Sequence, residues 1–147
     1  PDAATDLQAK LLAEIDFKAE TYVFNGVAVQ SRRKVAYHSE HAYSYSNQTY
    51  MGQPWTPTLA LLRQMVLEKT GHDFNAVLCN LYEDGAAAMG WHSLTDKNPK
   101  KICEYRLGEG DLLVMEKGTQ PFFEHALLAE KTAQLPRMNL TFRKILT

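Results

Sequence analysis

The sequence predicts a mostly β domain with flanking helices, a double-stranded β-helix or jelly roll whose helices pack on one outer face. Three observations predict it. Helical periodicity is confined to the first half of the chain; period-two patterning takes over after Phe74; and glycine and proline break that later half into short runs. Helices followed by short antiparallel strands are the pattern of two packed sheets with helices on one side.

Taken in order, Leu7, Leu11, Leu12 and Ile15 recur at helical spacing over Thr5 to Ile15, with Asp6 near the positive end of the helix dipole. From Thr21 to Ala36 the residues turn β-prone, and Asn25-Gly26 predicts a hairpin turn between two strands. His38 to Gln53 has no clear period and predicts a long surface loop. Thr56-Pro57 offers an N-cap followed by proline at the first helical position, and Gly71 closes that helix after the apolar face Leu59, Leu62 and Val66. Period two then marks strands at Phe74 to Tyr82, Asp111 to Met115, Phe122 to Leu127 and Arg137 to Ile145.

At 147 residues, with 45% apolar and 22% charged, the chain suits one buried core, so residues 1–147 are expected to form a single domain. A net charge of −1 excludes a globally basic nucleic-acid binder, and any such contact must come from a local patch. Cys79 and Cys103 are too far apart for a CxxC site and mark no disulfide scaffold. No apolar run reaches the roughly 18 residues that span a bilayer, and no basic-then-apolar leader is visible. The expectation is a soluble, monomeric protein without a membrane partner, placed in the cytoplasm or, if eukaryotic, in the nucleus.

The C-terminal run carries the chemistry. Strand alternation puts Arg137, Asn139, Thr141 and Arg143 on one face and Met138, Leu140 and Phe142 on the other. Two readings are open: a half-exposed strand with a solvated polar face, or a face turned into a barrel where two guanidiniums require anionic partners. A bound dicarboxylate satisfies the second. Asn80 and Tyr82 likewise share a face of their strand, and His92 and His125 offer imidazoles suited to Fe(II) in a two-histidine, one-carboxylate site.

In order and spacing, Asn80-Leu81-Tyr82, Gly90-Trp91-His92-Ser93, Gly108-Glu109-Gly110-Asp111, Thr119-Gln120, His125 and Pro136-Arg137-Met138-Asn139-Leu140-Thr141-Phe142-Arg143 resemble the AlkB-type dioxygenases. Tyr43-Ser44-Tyr45-Ser46 ahead of Pro54-Trp55-Thr56-Pro57 is similar to one branch of that family. The resemblance runs from about Val35 to Thr147 and implies an Fe(II)- and 2-oxoglutarate-dependent dioxygenase that oxidatively demethylates alkylated DNA or RNA bases; the alternatives are a catalytically inactive nucleic-acid binder and a 2-oxoglutarate oxygenase acting on a protein or small molecule. It implies His92 and His125 as catalytic iron ligands, Arg137 on the distal carboxylate of 2-oxoglutarate, Arg143 near its other end, and Asn80, Tyr82 and Asn139 completing the co-substrate site. Tyr43 and Tyr45 fall where the family presents aromatics to the damaged base. Arg32 and Arg33, with Lys34, form a basic cluster that suits phosphates or, equally, a solvated turn.

One departure stands out. The family's metal motif is His-x-Asp, whereas this chain has His92-Ser93-Leu94, and roughly 20–30 residues of strand and loop expected next are missing. Three readings are open: a deletion that removed the carboxylate, Asp96 in its place, or a sequence that joins two stretches across an absent segment. The last is favoured, because losing two central strands exposes sheet edges and unpaired backbone groups.

Overall fold

The computed structural model describes residues 3–45, 48–92 and 104–146. Among them the strands are antiparallel and outnumber the helices. The first helix, α1 (Ala3–Glu14), leads into β1 (Lys18–Phe24) and β2 (Val27–Ser39), joined by the expected turn, in which Asn25 (φ 49°) and Gly26 (φ 79°) both adopt positive φ. β2 continues three residues beyond Ala36, to Ser39, carrying the chain deep into the core.

The predicted loop at 38–53 instead contains a small hairpin, β3 (Tyr43–Tyr45) paired with β4 (Gln48–Tyr50), in the register Tyr43↔Tyr50 and Tyr45↔Gln48. Its sequence lacks the apolar alternation that reveals a half-buried strand, so the period gives no sign of it. α2 (Pro57–Thr70) has the predicted ends: Thr56 accepts a hydrogen bond from the Leu59 N–H at 3.3 Å, and Gly71 (φ 73°) donates to Leu67 O at 2.8 Å. A second group serves the same helix start, since the Glu14 carboxylate at the end of α1 accepts from Thr58 N at 3.1 Å and Thr58 Oγ1 at 2.6 Å.

β5 (Ala76–Tyr82) is central in a four-stranded sheet ordered β1-β2-β5-β8, where β8 is Arg137–Arg143. Between β5 and β8 lie β6 (Met89–His92), the short helix α3 (Thr119–Phe122) and β7 (His125–Leu127), with β6 and β7 paired to each other. Two strand expectations change here. Residues Phe122 to Leu127 divide into the end of α3 and β7, and Asp111 to Met115 forms no strand, Leu112, Leu113, Val114 and Met115 all being exposed. Alternation makes a segment able to pair, but the ladder also requires a neighbour, and among the described residues none lies beside this run. The stretch after Ser93, including Leu94, Asp96 and Cys103, lies outside the described residues.

Both main helices cover one face of the four-stranded sheet. Leu11, Ile15 and Leu59 from the helical side meet Ala36, Val77 and Cys79 from the sheet, with Trp55, Leu62, Met138, Leu140 and Phe142 packed around them. Burial of Cys79 in this layer pushes its thiol up to about 12. With the apolar parity of β5 and β8 spent on this core, the opposite parity is left for polar side chains. Among the described residues, no helix is long and apolar enough to cross a membrane.

Candidate active site

The register of β2, β5 and β8 arranges the polar face in rows. Arg33, Tyr82 and Arg137 form one row, Val35, Asn80 and Asn139 the next, Tyr37, Leu78 and Thr141 a third, and Ser39, Ala76 and Arg143 the last. Asn80, Tyr82, Arg137, Asn139 and Arg143, expected from the sequence to share a site, therefore occupy one continuous surface built from two neighbouring strands.

Hydrogen bonds order this surface. Asn80 Nδ2 donates to Asn139 Oδ1 at 3.2 Å, and Thr141 Oγ1 donates to the same oxygen at 3.2 Å. The guanidinium of Arg137 stands 5.7 Å from the Tyr82 ring centroid, a cation–π distance. Burial raises the Tyr82 phenol above its ordinary range, against the opposing pull of Arg33 and Arg137, so it remains a donor at neutral pH. Among the described residues no carboxylate pairs with Arg137, although Tyr82 covers one side of it. Guanidiniums, amides and a protonated phenol together present donors to an anionic ligand, so the residues fit a dicarboxylate such as 2-oxoglutarate.

The histidines meet at the level of the backbone: His92 of β6 and His125 of β7 are register partners. Residues directly opposite in an antiparallel pair have Cβ atoms about 5 Å apart on the same face of the sheet. The His92 side chain lies outside the described part, as does Asp96, and among the described residues no group of three His, Cys, Asp or Glu could hold a metal. The juxtaposed His92 and His125 backbones agree with two ligands of an iron site, and among the described residues no third, carboxylate ligand accompanies them.

The basic cluster divides by strand parity. Arg32 is exposed, and Lys34 pairs with Glu83 at 2.6 Å, but Arg33 turns to the polar face. There it forms an ion pair with Glu20 and donates to Asn80 Oδ1 at 3.0 Å, which takes it off the expected phosphate-facing patch. Tyr50 also donates its hydroxyl to Glu20, and its ring lies 6.2 Å from that of Tyr37. The β3–β4 hairpin is thereby joined to the same face of the sheet; the backbones of Tyr43 and Tyr45 belong to it, while their side chains lie outside the described part.

Glu20 and Tyr50 were not among the residues expected at the site. A carboxylate in the β-prone run Lys18 to Phe24 is a weak signal, and extending the Asn25-Gly26 hairpin regularly places Glu20 opposite Ser31. An irregularity between Ala19 and Thr21 moves the pairing from Thr21↔Gln30 to Ala19↔Lys34, and this brings Glu20 to Arg33.

The chain is also similar to known proteins. A family model described as the 2OG-Fe(II) oxygenase superfamily, whose description names both cofactors, Fe(II) and 2-oxoglutarate, matches residues 1–99. The chain is 30% identical to alpha-ketoglutarate-dependent dioxygenase alkB homolog 3 of Bos taurus over 92% of its own length and 59% of that protein's. It is 29% identical to the Homo sapiens protein of the same name, over the same 92% and 59% shares. With the DNA oxidative demethylase ALKBH2 of Mus musculus it shares 32% identity over 71% of this chain and 57% of the relative. The chain thus spans about 59% of the length of the first of these relatives. The bovine alignment covers 172 positions against the 147 residues of this chain, so the relative carries residues that have no counterpart here. By the family match and by these similarities, the chain belongs to the 2OG-Fe(II) oxygenase superfamily as an AlkB-like member.

Proposed function

We propose that the full-length protein is a nucleic-acid demethylase that removes methyl groups from alkylated DNA or RNA bases, using O₂ and 2-oxoglutarate and releasing formaldehyde, succinate and CO₂. The observation that carries this reading is the single polar face on which Asn80, Tyr82, Arg137, Asn139 and Arg143 assemble and to which the β3–β4 hairpin is joined through Tyr50. Fe(II) with 2-oxoglutarate supplies the oxidising power in this chemistry. The chain's own residues bind and orient: Arg137 and Arg143 hold carboxylates, Tyr82 and Asn139 donate hydrogen bonds, and the hairpin brings Tyr43 and Tyr45 towards a base. A methyl group on the pairing edge of a base is inaccessible inside a duplex, so the base must be flipped out or presented in a single strand, where aromatic stacking retains it.

In the same reading, the four-stranded sheet and the β6–β7 pair belong to the two sheets of a jelly roll, and 1–147 is one domain. The superfamily membership and the names of the similar AlkB-type proteins support it.

A second reading is favoured by one observation. His92 is followed by Ser93 and Leu94 where the resemblance calls for a carboxylate two residues on. A protein without that ligand binds methylated oligonucleotides without turnover. Incubating full-length protein with Fe(II), 2-oxoglutarate and methylated single- and double-stranded oligonucleotides separates the two. Formaldehyde and succinate formed in equal amounts establish the demethylase. Metal-independent oligonucleotide binding with no succinate establishes the binder, and neither result removes both readings.

A further inference from the structure

The amide chain on the polar face has a direction. Arg33 offers only donors, so Asn80 must turn its Oδ1 to the guanidinium, and the 3.0 Å contact shows it doing so. Asn80 Nδ2 is then committed to Asn139 Oδ1, which also accepts from Thr141. With its oxygen doubly engaged, Asn139 keeps its Nδ2 for a ligand. The first member of this chain is held in turn by Glu20, with side-chain exposures of 18% for Arg33 and 12% for Glu20. Glu20 also accepts the Tyr50 hydroxyl, so the same carboxylate anchors the β3–β4 hairpin.

We propose that Glu20 and Arg33 are positioning residues of the co-substrate site. They set the direction of the Asn80–Asn139 amide chain so that Asn139 presents an N–H group to an oxygen of a 2-oxo dicarboxylate, and through Tyr50 they hold the hairpin to the same face. The inference rests on the co-substrate reading above. Without Arg33 the Asn80 amide is free to invert, Asn139 follows, and a carbonyl oxygen is turned towards an anionic ligand, exchanging an attraction for a repulsion.

The test is calorimetric titration of the full-length protein with 2-oxoglutarate, with and without Mn(II), alongside thermal denaturation of each variant. Arg33→Met is expected to weaken 2-oxoglutarate binding by about tenfold or more, the effect of one charge-assisted hydrogen bond, and Arg33→Lys, which keeps a donor, to recover part of it. Asn80→Asp provides a second route should Arg33→Met fail to fold. It keeps the Arg33 contact, but it can only accept, so it forces Asn139 to turn its Nδ2 inward and is expected to weaken binding by a similar factor. Tyr50→Phe is expected to raise KM for a methylated oligonucleotide more than it changes 2-oxoglutarate affinity. Wild-type 2-oxoglutarate affinity in both Arg33→Met and Asn80→Asp overturns the amide argument, even if melting temperatures fall. An unchanged oligonucleotide KM in Tyr50→Phe overturns the hairpin anchor. If the wild-type protein itself binds no 2-oxoglutarate, the co-substrate reading fails and takes the inference with it.

Discussion

Asn80 and Asn139 face each other across β5 and β8, and the amide nitrogen of the first donates to the amide oxygen of the second at 3.2 Å. One residue away along the polar parity of each strand, Tyr82 faces Arg137. This pair of rows joins an amide relay to a guanidinium whose ring neighbour limits how it can turn.

Replacing Arg137 therefore acts on binding rather than folding. It is exposed at the start of β8 and contributes nothing to the helix-facing core. Arg137→Ala is expected to weaken 2-oxoglutarate binding by about ten- to a hundredfold, the range for a lost charge-assisted bond. Arg137→Lys should restore it only in part, because an ammonium lacks the planar fork for bidentate contact. Calorimetry and thermal denaturation together check this: a large fall in melting temperature with unchanged affinity contradicts the assignment.

Cys79 lies in the opposite, apolar layer, with its thiol raised from 9.0 to about 12 by burial. The folded protein keeps a proton that the unfolded chain releases, so this contribution to stability is fully present below pH 9 and is lost as pH rises towards 12. Urea midpoints between pH 8 and about 11 should fall, and Cys79→Ala should flatten part of that slope. Thiol reagents should modify Cys79 only as fast as the protein unfolds; rapid labelling under native conditions would count against its burial.

Acid acts on two other groups. Hydrogen bonds from Thr56 and Thr58 hold the Glu14 carboxyl below its ordinary range, and Arg63 does the same for Asp73. Both are depressed acids, so their stabilisation is present above the ordinary values of 4.5 and 3.8 and is lost as pH falls through the lower folded values. Glu14→Gln and Asp73→Asn should melt below the wild type at pH 6 and converge with it near pH 2, roughly where both carboxyls are protonated. Parallel melting curves across that range would contradict the shifts.

Gly85 is placed by close backbone approach. Its N–H donates to Ala133 O at 2.9 Å, its carbonyl accepts from Glu130 N at 2.8 Å, and a Cβ there would lie 1.8 Å from Glu130 O. Gly85→Ala should destabilise the protein by about 1–3 kcal/mol, as overpacking against backbone does. Denaturant titration measures it, and a wild-type midpoint would show that the 130–133 segment can move away.

Several features were legible from local rules alone. The caps of α2 at Thr56 and Gly71, the Asn25-Gly26 turn, and the separation of Arg137, Asn139, Thr141 and Arg143 from Met138, Leu140 and Phe142 follow from backbone preference and strand parity. The run from Asp111 to Met115 shows the limit of such rules. Its four consecutive apolar residues, Leu112 to Met115, suit a strand, yet no neighbouring strand completes it among the described residues, and these side chains remain exposed.

The sequence by itself determined which side chains share a strand face, because parity is a property of the extended backbone and needs no partner. Only the tertiary structure decided which faces meet. The register of β5 against β8 set Asn80 on Asn139, and the irregular pairing of β1 with β2 brought Glu20 to Arg33, turning a residue of an apparent surface cluster into an internal tie. Register between strands depends on turns, bulges and core packing distant in sequence, so it lies beyond what alternation within one strand can specify.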